Sequence, residues 1–321
     1  MGLGKMPSRY PRLKPDKVRT KSIASRKHKV KLEDFAKVGT ESLLEGLPAQ
    51  LKGLDWSSFC KSLSGAFQNR LPVVAMLGAH VVKVGCSPFI IDWVERGFLS
   101  AVAFNGATAI HDLEIAMWGA TSEDVAAGLE DGSFGMVDET PQVFARAAEC
   151  ARREDLGLGE ALGRELLTLG APNAGSSILA ACYNNRVPLT VHVAIGTDTI
   201  HQHPSTDGAS LGAATMNDFR IFSAAVSKLA PGSVVLNLGS AVILPEVFLK
   251  ALTLARNLGH KCEGLITADF SMIQQYRPSV NVVGRPTLAG GGRGYTFIGH
   301  HELMLPLLHR CVEECLEKCK S

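Results

Sequence analysis

The sequence predicts an α/β protein, a single Rossmann-like, doubly wound, mostly parallel sheet with helices on both faces. Hydrophobic residues make up 46% of the chain and aromatic residues only 6%. The core is therefore built from Ala, Val, Leu and Ile, which suits strands buried on both faces. Short apolar runs that end in glycine or asparagine alternate with stretches of helical spacing. These strand–turn–helix units recur without an internal repeat or an inter-domain linker, which favours one wound sheet over two domains for 321 residues.

In chain order, residues 1–40 form a basic arm and residues 41–321 the folded domain. Helical spacing covers residues 43–65, around Leu51, Leu54, Trp56 and Phe59. Residues 71–78 (LPVVAMLG) form a buried strand entering a turn. Residues 89–98 are helical, with Gly97 as their stop. Residues 99–104 form the next strand, followed by the turn Asn105-Gly106-Ala107 and a helix over 111–118. Helices over 124–129, 141–153 and 178–185 precede a strand at 187–195. A long loop then spans 196–212. A helix at 218–228, a strand at 234–238 and a helix at 245–258 follow. Residues 285–295 (RPTLAGGGRGY) form a flexible loop, and the chain ends in a helix beginning near His300.

The net charge of +2 is unevenly placed. Eleven Lys and Arg against Asp16 alone fall between Lys5 and Lys31, so this stretch carries +10 and the remainder about −8. Such an arm fits nucleic acid or an anionic surface. A solubilising tail, or a contact on an acidic neighbouring subunit, is the favoured reading. The eight cysteines contain no CxxC pair. Cys311, Cys315 and Cys319 recur every fourth residue beside His309 and read as one packed helical face. With no leader peptide and no long apolar run, a reducing cytoplasm is expected and a membrane partner is not.

Right-handed crossovers place every strand's C-terminal end on one rim, where open α/β sheets bind ligands. The turns at Gly78-Ala79-His80, Asn105-Gly106-Ala107 and Gly239-Ser240 can bring backbone amides to a phosphate there. None has the GxGxxG spacing, and residues 290–294 (GGGRG) lack the Lys-Ser/Thr of a P-loop. His111 and Asp112 open a helix just past a strand, with Glu114 close by. They form an acid/base pair at the rim, or Asp112 caps a helix. His201 and His203, near Asp198 and Asp207, have i, i+2 spacing. That is a weaker metal signature than HExxH, and no metal is expected. There is no GxSxG and no paired-carboxylate spacing for glycoside chemistry.

Residues 80–125 (HVVKVGCSPFIIDWVERGFLSAVAFNGATAIHDLEIAMWGATSEDV) resemble the strand–turn–helix segment of the deoxyhypusine synthase family. Further likeness lies in LKGLDWSSFCKSLSGAF, NNRVPLTVHVAIGTD, VVLNLGSAVILPEVFLKA and FIGHHELMLPLL, in the family's order over residues 43–315. The resemblance implies a homotetramer that binds NAD at a subunit interface and acts on spermidine, another polyamine or a small amine. It implies that Gly78, His80, Gly85, Asn105, Gly106, Gly239, Ser240 and His300 face the cofactor. Asp198 matches a site aspartate. The family's nucleophilic lysine has no counterpart, because residues 281–295 carry arginines and neither lysine nor tryptophan. An arginine stays protonated and forms no imine. Lys83 is the one lysine placed to substitute.

The sequence-level expectation is thus an NAD-binding, deoxyhypusine synthase-like transferase or oxidoreductase that does not synthesise deoxyhypusine. Its catalytic set is His111, Asp112, Asp198 and Lys83. The alternatives are a non-catalytic NAD-dependent binding or regulatory protein, and a metal-dependent enzyme using His201, His203 and Asp198.

Overall fold

The computed structural model describes residues 9–13 and 15–318; Lys5, Lys14 and Cys319 lie outside them. Helices α1 (Leu43–Gly46) and α2 (Leu51–Gln68) precede strand β1 (Val73–Leu77). Helices α3 (Ala79–Lys83) and α4 (Ser87–Glu95) lead to β2 (Ala101–Asn105). Five helices fill the next crossover: α5 (Gly106–Trp118), α6 (Val125–Asp131), α7 (Glu139–Glu154), α8 (Leu158–Thr168) and α9 (Ile178–Asn184). Then come β3 (Leu189–His192), α10 (Gly208–Val226), β4 (Val234–Leu238), α11 (Ile243–Asn257) and β5 (Ile266–Ser271). A π-helical turn (Pro278–Gly284) leads to β6 (Arg293–Ile298), and α12 (His301–Lys318) packs last.

The six strands pair in the order β3-β2-β1-β4-β5-β6, and every pairing is parallel. Strands buried on both faces need apolar side chains in both directions, and β1 (VVAML) shows this in five residues. Val73, Ala75 and Leu77 join the larger core with α2, α4, α5 and α12. Val74 and Met76 face the smaller core, with Phe222 of α10 and Leu244 and Phe248 of α11. The chain starts in the middle, winds outward through β2 and β3, then returns to β4 on the other flank. The β1/β4 boundary is therefore the switch point, where the turns leaving the two strands diverge and open a crevice.

Packing at that boundary is close. A Cβ on Gly78 would overlap the carbonyl oxygen of Gly239, so the β1 and β4 turns touch backbone to backbone. Gly78→Ala is expected to cost about 2 kcal/mol, the scale of overpacking a rigid contact. Urea unfolding monitored by circular dichroism measures it.

Two segments differ from expectation. The loop placed at 196–212 stops early, because Asp207 caps α10 by accepting from the amides of Ala209 and Ser210. The Gly-rich stretch 285–295, expected to be a flexible loop, forms two short 3-10 turns and then enters β6. Tyr295 and Phe297 hold that strand by packing on Phe59, and Phe297 also meets Trp56 edge-on at 5.0 Å. Strand β5 alternates Thr267, Asp269 and Ser271 with Ala268 and Phe270, all buried. Its polar half hides it from an apolar-run search.

The described part of the arm, residues 9–13 and 15–40, is exposed throughout except for half-buried Asp34. Its order is limited to three 3-10 turns. Among the described residues no helix is long and apolar enough to cross a membrane.

Candidate active site

Beside the switch point, the end of α3, the outer face of α5, residues 120–137 and the loop after β3 line a half-open cavity of about 460 Å³. Its polar wall includes Lys83, His111, Glu114, Thr121, Glu123 and Asp198, and its apolar wall includes Ile110, Val125, Phe134 and Val137. His111 and Glu114 share a face because they are one helical turn apart on α5. That helix starts where it does because the Asn105 side chain accepts from the Thr108 amide (2.9 Å), and it stops at left-handed Gly119.

A hydrogen-bond chain fixes the state of His111. The Thr121 hydroxyl donates to Glu114, and the same oxygen lies 2.6 Å from His111 Nδ1. Because the hydroxyl's single hydrogen is committed to the carboxylate, the oxygen accepts and Nδ1 donates. The remaining nitrogen, Nε2, is then a bare base. Burial and the nearby Lys83 charge push the His111 pKa down to about 4. The ring is therefore neutral through the physiological range. Because this value lies below the ordinary 6.5, protonation favours the unfolded chain, and the ring's contribution to stability is lost as pH falls from about 6.5 towards 4. Lys83→Met removes the smaller of the two causes. The His111 pKa is expected to rise but to stay below 6.5, as an NMR titration of the ring would record.

Asp198 is 8% exposed, and its Oδ2 has no hydrogen-bond partner. Burial raises its pKa, while the neighbouring His201 and the Ala107 amide pull the other way. Its carboxylate lies over Gly106, where any Cβ would collide with it. Oδ2 is the oxygen packed on Gly106, so Asp198 lines the cavity without exposing that atom. The segment closing the cavity is strongly acidic. Between Trp118 and Arg146 the chain has Glu123, Asp124, Glu130, Asp131, Asp138 and Glu139, with no Lys or Arg. Thr140 also donates to Glu114 (3.1 Å), and His203 Nε2 lies 3.2 Å from Asp138, so the segment is tied to the body at several points.

Of the expected catalytic residues, the fold brings Lys83, His111 and Asp198 together. Asp112 goes elsewhere. It points into the protein, fully buried, and accepts from Ser177 Oγ (2.5 Å) and the amides of Ile178 (2.9 Å) and Leu179 (3.0 Å). It holds the start of α9 and does not line the cavity.

Of the expected cofactor residues, Gly78, His80, Gly239 and Ser240 flank the switch point, and Gly106 begins α5 under Asp198. The Asn105 oxygen is taken by the Thr108 amide and hydroxyl. Gly85 supplies a left-handed turn (φ +75°) between α3 and α4. His300 is exposed and lies 3.7 Å from Glu302, whereas His301 turns inward.

His201 and His203 have separate partners. His201 Nδ1 accepts from the amides of Gly196 and Asp198 (both 3.1 Å), and His203 Nδ1 lies 2.7 Å from Ser205 Oγ. Among the described residues, the one trio of potential ligands close enough to hold an ion is Asp92, His309 and Glu313. Arg96 already bridges its two carboxylates, at 3.0 and 2.6 Å.

Thr121 and His301 are the important residues that the sequence left unassigned. Thr121 carries no sequence signal. His301 was readable only as the neighbour of His300.

No protein-family model and no curated protein matches the chain. Solved structures do share its fold. Unliganded AgrE matches at 17% identity and a TM-score of 0.51, and AgrE in a ternary complex with ornithine and NAD+ at 16% and 0.50; each match covers 83% of this chain and 33% of AgrE. A LOR/SDH protein from Methanococcus maripaludis S2 matches at 16% identity and a TM-score of 0.47, over 88% of this chain and 74% of its own. The chain thus spans a third of the AgrE length, and at these identities the likeness is one of fold. The resemblance to deoxyhypusine synthase is corrected by the AgrE matches, which are to a different protein of this fold. What the quoted segments share with that family is the strand–turn–helix pattern of a wound parallel sheet. A chemistry of polyamine transfer loses its support with it. The architecture is that of a Rossmann-like parallel α/β protein.

Proposed function

We propose that this chain is an NAD-dependent oxidoreductase domain acting on a small amino compound, a basic amino acid above all, with His111 as the proton acceptor. The observation that carries the reading is the adjacency of two features. A 3-2-1-4-5-6 sheet opens a crevice at Gly78 and Gly239, and a cavity holding a neutral, oriented imidazole lies beside it.

The residues present fit a dinucleotide in part. Gly78 meets the Gly239 turn backbone to backbone, so no side chain stands between the β1 and β4 turns, and the first amides of α11 follow Ser240. The usual ribose-binding acid at the end of β2 is replaced by Asn105, which is already engaged, so other groups must meet the ribose. Gly78, His80, Gly239 and Ser240 are the residues that would hold the cofactor. NAD, when bound, supplies a hydride acceptor. AgrE, of the same fold, was crystallised with ornithine and NAD+.

The chain's own residues then divide the work. Asp198, on the cavity wall, offers a carboxylate to a substrate ammonium, and Lys83 offers a cation to a carboxylate. His111 Nε2 takes the proton that leaves the amino group, and Thr121 and Glu114 hold the ring in the tautomer this requires. Phe134, Val125 and Val137 exclude water from the aliphatic stem. The acidic segment 123–139 raises the local concentration of cationic substrates.

Calorimetric titration of the full chain with NAD+, followed by a panel of amino acids and amines scored by NADH absorbance, tests the reading. Saturable binding with turnover confined to amines that carry a second positive charge is expected. A folded chain that binds no dinucleotide at millimolar concentration would overturn it.

A further inference from the structure

His301 sits at the start of α12 with its ring against Gly239, 2% exposed. Its Nε2 lies 3.0 Å from the carbonyl oxygen of Phe270, at the end of β5. A carbonyl only accepts, so Nε2 carries the hydrogen and Nδ1 is a bare lone pair. That Nδ1 is buried and has no partner. Its charged and titratable surroundings include His80 from α3, His300 just before α12, Glu302 within it, and the Cys86 thiol, which lies 3.7 Å from the His301 carbonyl oxygen. Burial lowers the ring's pKa, which keeps it neutral and its lone pair available. His80 is half-buried at the start of α3 and approaches edge-on, with ring centroids 5.7 Å apart and planes at 66°. The two rings thus join the ends of β1, β4, β5 and β6 at the crevice.

We propose that His301 is a positioning residue for His80, accepting the His80 ring N–H at Nδ1 so that the other His80 nitrogen faces the crevice as a hydrogen-bond acceptor for a ribose hydroxyl. This assigns to His80 the ribose contact that Asn105 does not make. A buried lone pair without a donor costs free energy, and a small turn of the His80 ring, already in edge contact with His301, supplies one. The orientation runs one way, because the Phe270 carbonyl fixes His301 first. The ligand half of the proposal rests on the dinucleotide reading above; the His301–His80 half does not.

The test is nitrogen NMR of the full chain labelled with 15N-histidine, with and without NAD+. In the unliganded protein, His80 is expected to show a single fixed tautomer, and His301 a hydrogen at Nε2. His301→Gln, whose amide keeps both a donor and an acceptor, should retain the single His80 tautomer. His301→Phe should leave His80 exchanging between tautomers and weaken NAD+ about fivefold, the worth of one neutral hydrogen bond. Should that variant not fold, His80→Phe at the half-buried position is the substitute, and it should shift the His301 Nδ1 resonance downfield as its donor is lost. Mixed tautomers of His80 in the wild type, or a His301 Nδ1 resonance indifferent to His80→Phe, overturn the pairing. A fixed His80 tautomer in a chain that does not bind NAD+ supports the pairing and removes the dinucleotide reading instead.

Discussion

His111→Phe is expected to lower kcat/KM by roughly 10²- to 10⁴-fold, the range seen when a positioned general base is removed. NAD+ affinity should change by less than about twofold, because His111 makes no hydrogen bond to the crevice and the loss of even one such bond is worth about fivefold. Phe retains most of the ring volume, so the cavity keeps its shape. The pH dependence supplies a second reading. In the free enzyme the acidic limb of kcat/KM should fall near pH 4, since burial and Lys83 hold the ring at about that value. In Lys83→Met the limb should move to higher pH. Thr121→Val keeps the base but frees its tautomer, and should cost less than His111→Phe. Steady-state rates with the best substrate from the amine panel decide among these. Wild-type turnover by the Phe variant would remove His111 from the chemistry.

The central strands were legible because burial on both faces leaves a plain signal. Residues 71–78, 99–104 and 234–238 are short apolar runs with glycine or asparagine at the end, and they became β1, β2 and β4. The flanking strands were harder for a physical reason. β5 buries Thr267, Asp269 and Ser271, which match no apolar pattern; Asp269 accepts from Asn237 Nδ2 at 2.7 Å and from Ser271 Oγ at 2.9 Å. β6 begins inside a glycine-rich stretch and is a strand because Tyr295 and Phe297 find an aromatic cluster 230 or more positions earlier in the chain. Neither fact is local, so neither could be read locally.

Site residues divide along the same line. Helical spacing put His111 and Glu114 on one face, and topology put the turns at Gly78, Asn105 and Gly239 on one rim. Whether a polar side chain looks outward or inward is settled by tertiary neighbours. His300 and His301 differ by one position and about 100° of rotation on a helix, and only the second is buried. Thr121 matters through one hydrogen, which decides the tautomer of His111, and a threonine in a loop announces nothing of the kind. Resemblance of segments carried the wound parallel sheet correctly and the family incorrectly, since the strand–turn–helix pattern belongs to many chemistries.

Asp112 is where sequence position and side-chain direction part most sharply, and Asp112→Ala is expected to destabilise the fold by about 3–4 kcal/mol with little change in kcat per folded molecule. The carboxylate bridges α5 to α9 by accepting from one hydroxyl and two amides, all buried. Alanine leaves those three donors without an acceptor, each costing on the order of 1 kcal/mol or more, and adds a small void. Burial raises the Asp112 pKa from 3.8 to about 6, against the pull of Ser177 and the two amides. A folded-state pKa above the unfolded one means that the folded chain binds the extra proton. The carboxyl's contribution to stability is therefore fullest below about pH 4 and declines as pH rises through 6. The gap between wild type and variant should accordingly be wider at pH 4.5 than at about pH 7, as urea titrations at the two values would measure. Equal stability of the two proteins, or loss of turnover in a variant that remains folded, would return Asp112 to the catalytic set and take α9 off its anchor.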